Sequence, residues 1–498
     1  MARIIKNNKL FIILFILYIS IIFIIGYSHP LLLDEGLYSN FSKMLANGNY
    51  QELLVEMPQI MGNPPLNIVI NSFFIKIFGY SEFVLRLLTL ICAILIFPVS
   101  YFLAREFGLE KKNSVFFAFL LSLAFPIQEM SHFAMTDVPA VLFMELSLLF
   151  FLKYPKSKHN LILGALFCMI GFFFKQYVVA TAILIPYFFY KDKFKINSYY
   201  VISLIILILP IFDWMMFNSL YYGSNRLVSS YIQLQFDPFI MLKKIGWMIY
   251  VMGFYLIPFI PYFIIKKFSS KSKLKYLVLL LIPLSFISFE YLGSELVKGG
   301  YSIRGRIPLL YHVLPHTIYL ILAILFFLSF LLFLTKINFK NQKSFQVILV
   351  IISFLLIMSV KYFTTKGITI ADIRHTIFFL PLIYLLAFNF VKRNWYFYLM
   401  SIGIILYSLI WILSLIASAN SAYEVAQYLN NNINGTYYAE PILHYATKPS
   451  VTNISQAQYI VFGEGFSYSY PLENCTIIKN FDSKLLGFTI AKRFICKR

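Results

Sequence analysis

Charged side chains are scarce in this sequence. Asp, Glu, Lys and Arg make up 13% of the 498 residues and hydrophobic residues make up 60%, and the mean hydropathy is +0.77. A soluble domain carries about 25% charged residues, so the composition excludes an ordinary soluble protein. Apolar runs of about 20 residues, enough to cross a bilayer as a helix, recur along the chain. Because lipid offers backbone groups no hydrogen-bond partner, such runs predict an all-α, polytopic bundle of membrane helices.

Acidic residues are half as numerous as basic ones, 21 against 42, which gives a formal charge of +21. Such an excess is typical of nucleic-acid-binding proteins, but here the Lys and Arg residues lie mainly in short links between apolar runs. That distribution follows the positive-inside rule, and it predicts a membrane topology and no nucleic-acid partner. The N-terminus and the basic links are predicted to be cytoplasmic. These links are Arg105–Lys112, Lys153–Lys158, Lys191–Lys195, Lys266–Lys275, Lys336–Lys343 and Lys392–Arg393.

Cysteines are also few, and their spacing is not that of a metal site. Cys92 and Cys168 fall in apolar runs. Cys475 and Cys496 lie in the C-terminal tail, and the sequence leaves open whether they pair. The first apolar run, Leu10–Tyr27, lacks a small-residue cleavage site after it, which is typical of a retained signal anchor.

Hydropathy and charge together predict about 13 spans in the cell membrane, which places the C-terminus on the external face. Two apolar stretches have basic links at both ends, so each must cross the membrane and return. Leu161–Tyr190 is predicted to hold two short spans that turn near Lys175, and Val115–Phe151 is predicted to turn within EMSHFAMTDVPA. Turns below the outer surface are predicted to line a cavity.

The character of the chain changes near residue 417, beyond which the sequence predicts no further span. We therefore divide the chain into a transmembrane domain, 1–417, and a small external soluble domain, 418–498. In the second part AYEVAQYLNNN predicts an amphipathic helix, whereas QAQYIVFGE and GFTIAKRFI predict strands. The C-terminal part is thus predicted to be a small α/β domain.

An acidic pair, Asp34–Glu35, follows the first apolar run. The next residues, GLYSNFSKMLANGNYQELL, have the spacing of an external juxtamembrane helix, and NPPLNIVI then enters the second span. The pair is therefore predicted to lie at the outer lip of the bundle. Ionisable residues at membrane depth indicate function. The further external candidates are Asp137, Lys175, Arg374, Arg304 and Arg306.

These motifs, in this order, resemble the integral-membrane C-fold glycosyltransferases, in particular the protein O-mannosyltransferases and the aminoarabinose transferases of lipid A. HFAMTDVPA resembles the family's second acidic turn, with Asp137 as its carboxylate, and LILGALFCMIGFFFKQY resembles its Gly-rich span ending in Lys175. DIRHTIFFLP resembles its late Arg-Tyr span, with His375 in place of the usual Tyr. The matching motifs of the opening region are the DE pair, NPPL at 63–66, FGYSE at 78–82 and RL at 86–87.

The resemblance implies transfer of a sugar from a polyprenyl (dolichyl) phosphate donor to a protein, lipid or glycan acceptor on the external face. A phosphate-linked sugar already has a good leaving group, so one carboxylate that takes the acceptor's proton is enough, and a single displacement inverts the anomeric centre. Asp34 is predicted to be this base, Glu35 to orient the acceptor or hold a cation, and Asp137 to position the acceptor or Asp34. The departing phosphate needs cations. The candidates for phosphate binding are Lys175, Arg374, Arg304 and Arg306.

Other interpretations of the same residues stay open. The structural alternatives are a loop acid for Asp34, a helix cap for Asp137, a lysine extended to the surface for Lys175 and an interfacial anchor for Arg374. For the loop that carries Arg304 and Arg306, the alternatives are contact with the head groups of anionic membrane lipids and a mobile loop without a ligand. Arg86 is predicted to be an ion-pair partner within the bundle. No cofactor is specified, and a divalent cation is left open.

Two other functions are considered beside the glycosyltransferase. A polytopic transporter or flippase of a lipid-linked or anionic substrate is the main alternative, although the sequence lacks the repeated halves of many transporters. A non-catalytic subunit of a glycosylation complex is the other. The four tryptophans are not adjacent, which argues against the Trp-Trp-Asp signature of oligosaccharyltransferases and so against transfer of a whole glycan.

Overall fold

The computed structural model describes residues 2–25, 35–51, 65–222, 238–260, 262, 326, 328–361, 376–393, 395–439, 456–463, 476–485 and 488–497. These residues are predominantly helical. The helices are α1 Ala2–Ile25, α2 Glu35–Ala46, α3 Leu66–Phe78, α4 Glu82–Phe107, α5 Lys111–Ser122, α6 Phe125–Ser131, α7 Asp137–Lys153, α8 His159–Phe174, α9 Leu184–Lys191, α10 Ser198–Tyr222, α11 Pro238–Leu256, α12 Gln342–Lys361, α13 Phe379–Phe388 and α14 Trp395–Asn432. The strands are β1 Tyr437–Ala439, β2 Tyr459–Gly463, β3 Thr476–Leu485 and β4 Phe488–Lys497.

Two helices in the described ranges are long and apolar enough to cross a membrane, Glu82–Phe107 and Asp137–Lys156. Seven shorter apolar helices of 10–17 residues accompany them. The predominantly helical architecture agrees with the predicted helix bundle. The predicted number of about 13 spans stays a prediction.

Both predicted turns are confirmed. Helix α8 ends at Phe174, Lys175 has an extended backbone (φ −154°, ψ 123°), and the chain continues as a 3₁₀ segment, Gln176–Ile183, into α9. The returning segment packs on α8, since the Cys168 thiol donates to the Val178 carbonyl at 3.5 Å. In the second stretch, residues 132–136 form the turn between α6 and α7.

Helices α7 and α8 run antiparallel in close contact because α8 carries glycine where α7 and the returning segment approach. A Cβ atom at Gly164 would lie 2.5 Å from the Phe151 ring, and one at Gly171 would lie 2.6 Å from Val178 Cγ1. Ser147 Oγ also donates to the Gly164 carbonyl at 2.9 Å. This close antiparallel packing brings the C-terminal end of α8 next to the first turn of α7.

Residues of the predicted cytoplasmic links meet at one end of the bundle. The Glu106 carboxylate accepts hydrogen bonds from Lys156 Nζ at 2.6 Å and from Lys343 Nζ at 3.1 Å. Arg393 Nη2 lies 3.7 Å from Glu110 Oε2. Links that are distant in the sequence thus come together, as expected for segments on one side of a membrane.

The C-terminal residues form a mixed sheet of order β1-β2-β4-β3. The parallel pair is β1–β2, and β4 pairs antiparallel with both β2 and β3. The strands predicted in QAQYIVFGE and GFTIAKRFI are confirmed as β2 and β4. The sheet packs on the end of α14, with the Tyr428 and Phe481 ring centroids 5.6 Å apart.

Helix α14 runs for 38 residues, through position 417, and its last turns contain the helix predicted from AYEVAQYLNNN. Cys496 is disulfide-bonded, whereas Cys92 and Cys168 are free and buried. Cys475 lies outside the described residues.

Candidate active site

The predicted site residues divide into two sets. Asp34, Arg374, Arg304 and Arg306 lie outside the described residues. Glu35, Asp137 and Lys175 are described, and all three are buried. The site is therefore built from these three side chains and the residues that contact them.

Glu35 forms a bidentate ion pair with Arg86. Glu35 lies in the first turn of α2, and Arg86 lies near the start of α4. Arg86 Nε donates to Glu35 Oε1 at 2.8 Å, and Arg86 Nη2 donates to Oε2 at 2.9 Å. The exposed side-chain fractions are 0% for Glu35 and 4% for Arg86. The prediction that Arg86 is an ion-pair partner within the bundle is confirmed, and the cation that Glu35 holds is Arg86.

Glu35 also binds the turn between α6 and α7. The Ala134 backbone N–H donates to Glu35 Oε1 at 2.7 Å, across 99 residues of sequence. Asn67 Nδ2 of α3 contacts the Ala134 carbonyl at 3.4 Å, and Thr89 Oγ1 of α4 contacts the Met135 carbonyl at 3.4 Å. Helices α2, α3 and α4 thus hold the turn that ends at Asp137.

Asp137 and Lys175 form a second buried ion pair. Lys175 Nζ donates to Asp137 Oδ1, and the exposed side-chain fractions are 3% for Lys175 and 2% for Asp137. Asp137 is the first residue of α7, where a carboxylate also interacts favourably with the helix dipole. The alternative of a lysine extended to the surface does not fit a side chain that is 3% exposed.

The two ion pairs differ in the geometry of the N–H donors on their cations. Arg86 presents a planar fork that satisfies both oxygens of Glu35, and such a pair fixes orientation as well as charge. Lys175 is a point charge with three N–H donors on a flexible stem, and one of the donors is directed to Asp137. Chemically, the first pair is suited to hold the turn in place. The second joins a buried ammonium group to the carboxylate of Asp137.

Sequence reasoning missed several buried polar residues around this site. Glu145 lies within the apolar stretch VLFMELSLLFF of α7, is fully buried, and accepts a hydrogen bond from Ser100 Oγ at 2.7 Å. Its signal was a carboxylate at membrane depth. Asn67 and Asn71 are also fully buried and lie one turn apart on α3. Their signal was the pair of amides in the apolar run LNIVINSFF, at a spacing that puts both on one helix face.

In the described ranges, no group of three or more His, Cys, Asp or Glu side chains is arranged to hold a metal ion. His132, which the sequence brings close to Asp137, is buried in the turn. The described residues therefore identify no candidate site for a divalent cation.

The part of the chain that forms most of this site is similar to a known protein family. Residues 62–215 match the family of dolichyl-phosphate-mannose-protein mannosyltransferases. The match spans Arg86, Asp137, Lys175 and the turn at Ala134, and it confirms the resemblance drawn from the sequence motifs. It supports a membrane protein of the glycosyltransferase class.

Two further comparisons concern single proteins. An uncharacterized protein of Aquifex aeolicus (strain VF5) is 27% identical over 135 residues, which is 27% of this chain and 27% of the relative. The match thus spans about a quarter of that relative's length. Crystal structures of ArnT from Cupriavidus metallidurans also align with the chain. The one bound to undecaprenyl phosphate has a TM-score of 0.45 and 14% identity over 99% of this chain and 98% of that one. The apo structure has a TM-score of 0.43 and 12% identity over 96% and 97%.

Proposed function

We propose that this chain is a membrane glycosyltransferase that moves a sugar from a polyprenyl-phosphate donor to a hydroxyl group of a protein, lipid or glycan on the external face of the membrane. The family match over residues 62–215 supports the reaction class and a phosphate-linked donor. The observation that carries the proposal is the bond from Ala134 N–H to Glu35 at 2.7 Å. This hydrogen bond holds Glu35, the residue that follows Asp34 in the sequence, against the turn that leads into Asp137.

Asp34 is the proposed general base. Its carboxylate takes the proton of the acceptor hydroxyl while that oxygen attacks the anomeric carbon of the donor sugar. The bond from the anomeric carbon to the phosphate oxygen breaks, and its electron pair leaves with the lipid phosphate. One displacement of this kind inverts the anomeric configuration. Glu35 cannot share the role of base while Arg86 occupies both of its oxygens, so we assign it to positioning Asp34 and the turn.

Lys175 is the proposed phosphate ligand. The leaving lipid phosphate gains negative charge in the transition state, and a fixed cation in a buried site stabilises that charge strongly. Asp137 holds the ammonium group through their ion pair until the phosphate binds, and it helps to position the acceptor or Asp34. Arg374, Arg304 and Arg306 are proposed as further cations for the phosphate.

The decisive experiment replaces the proposed base. Asp34→Asn removes the proton acceptor and keeps nearly the same shape, and we expect the rate of sugar transfer to fall by about 10²–10⁴-fold. Purified protein would be assayed with a panel of polyprenyl-phosphate sugars that includes dolichyl phosphate mannose, and the anomeric configuration of the product would be read by NMR.

A matched control is Asp482→Asn, the same chemical change at an exposed position of β3, which we expect to leave transfer unchanged. Transfer by the Asp34 variant at the wild-type rate would exclude Asp34 as the base. A product with retained configuration would exclude the single displacement. Flux of the intact lipid-linked sugar across proteoliposomes without transfer would instead support the transporter.

A further inference from the structure

A groove lies between α9 and the start of α12, away from the proposed site. Its volume is about 570 Å³, within the range of pockets that bind small molecules. One wall is formed by Pro186, Tyr187 and Tyr190 of α9, and the opposite wall by Phe339, Phe345 and Leu349. The Tyr187 and Phe345 rings, one from each wall, have centroids 5.7 Å apart.

Two lysines line this groove, one on each wall. Lys191 is the last residue of α9, and Lys340 precedes the first turn of α12. Both are exposed, and neither has an acidic partner within the part of the chain that the structure describes. The Lys191 ammonium lies 5.9 Å from the centroid of the Tyr187 ring. The groove therefore combines two positive charges with aromatic walls.

The rim of the groove is apolar and exposed. Tyr190 is 62% exposed and Phe339 is 53% exposed. Large apolar side chains on the surface of a membrane protein are expected where lipid covers them. Tyr and Lys at the end of a membrane helix are typical of the boundary between hydrocarbon and headgroups. Lys191 and Lys340 belong to two of the basic links predicted to be cytoplasmic.

We propose that this groove binds an anionic phospholipid of the cytoplasmic leaflet. Lys191 and Lys340 contact the headgroup phosphate from the two walls, and the aromatic side chains pack along the first part of the acyl chains. The charge of the groove is complementary to that of anionic headgroups, which attract basic residues at this face of a membrane. The exposed apolar rim favours a ligand with acyl chains over free phosphate. The site is separate from the proposed sugar transfer and does not depend on it.

The test measures lipid binding directly. Purified protein in detergent would be titrated with phosphatidylglycerol, or with phosphatidylcholine of the same acyl chains, and bound lipids counted by native mass spectrometry. We expect phosphatidylglycerol to bind more tightly. In the double variant Lys191→Ala, Lys340→Ala we expect this affinity to fall roughly 30-fold, because each lysine near an anionic leaflet contributes about 1 kcal/mol.

A double variant of equal charge change serves as control. Lys158→Ala, Lys195→Ala removes two exposed lysines from the same set of links but outside the groove, and we expect its affinity to change by no more than about twofold. Equal binding of the two lipids by the wild-type protein would overturn the proposal without any variant. So would an unchanged affinity in the groove variant, or displacement of phosphatidylglycerol by inorganic phosphate at equal concentration.

Discussion

The two buried ion pairs of the site are close in the fold but differ in construction. Glu35 has its two oxygens filled by Arg86 and accepts a third hydrogen bond from Ala134 N–H. Asp137 receives Lys175 through one oxygen. Removing two charges from water costs several kcal/mol, which only good geometry and further hydrogen bonds recover. Because the Arg86 pair has the more complete set of hydrogen bonds, we predict that it contributes more to stability than the Lys175 pair.

The first and largest effect is expected from breaking the Arg86 pair. Arg86→Ala leaves the Glu35 carboxylate buried without its cation and should lower the free energy of unfolding by about 3–5 kcal/mol. Arg86→Lys keeps the charge but loses the second parallel hydrogen bond, so we expect a smaller loss of about 1.5–3 kcal/mol. The measurement is unfolding of the purified protein by SDS in mixed micelles.

Arg105→Lys on the same helix is the control for this experiment, since Arg105 is exposed and an Arg-to-Lys change there should cost less than about 1 kcal/mol. If Arg86→Lys were as stable as the control, the bidentate pair would not be what holds the turn.

The second prediction tests whether the charges of the Asp137–Lys175 pair are needed for sugar transfer rather than for stability. The double variant Asp137→Asn, Lys175→Gln replaces the ion pair by two neutral amides that can still hydrogen-bond. We expect it to fold with nearly wild-type stability, since exchanging a buried pair for a neutral one is often close to neutral. Sugar transfer should nevertheless fall by about 100-fold or more, because the cation for the leaving phosphate is gone.

This outcome is measured as kcat on the folded fraction, with stability measured on the same preparation. A double variant that transferred sugar at the wild-type rate would show the Lys175 pair to be structural, like the Arg86 pair.

The smallest effect is expected at the opposite end of the bundle. Lys156 pairs with Glu106, but its side chain is 67% exposed, and Lys343 also binds the Glu106 carboxylate at 3.1 Å. Lys156→Ala should therefore change the free energy of unfolding by less than about 1 kcal/mol, and transfer should be unaffected. If Lys156→Ala lowered the free energy of unfolding as much as Arg86→Ala, burial would not explain the difference in strength between these two ion pairs.

Local features of the site region could be predicted from the sequence. A run too long for one helix but with basic residues at both ends had to turn, and the structure turns at Lys175 and at residues 132–136. Arg86 lies within the second apolar run, where an unpaired cation is costly, and this predicted an ion-pair partner within the bundle. These predictions rested on hydropathy and charge, which act over short stretches.

The sequence could not predict which distant residues contact one another. Lys175 and Asp137 are 38 residues apart in sequence, and their contact depends on the glycines that let α7 and α8 approach. Glu145 gives little signal in the sequence because one carboxylate barely changes the hydropathy of α7. The parallel pairing of β1 with β2 involves a strand of three residues, too short for a period-two pattern. In each case the contact is set by packing between segments that are far apart in the sequence, and local sequence patterns do not specify such contacts.

The bond between Ala134 N–H and Glu35 also has a consequence for biogenesis. Its two ends are 99 residues apart, and Arg86 lies between them in the chain. Because synthesis starts at the N-terminus, Glu35 can meet Arg86 once α4 has been made, but it can form its third hydrogen bond only after the residues up to Ala134 have followed. The set of contacts around Glu35 is therefore complete only after helices α2 to α6 have all been synthesised. A fragment that ends before Ala134 can form the Glu35–Arg86 ion pair, but it lacks the hydrogen bond that fixes this pair to the turn before α7.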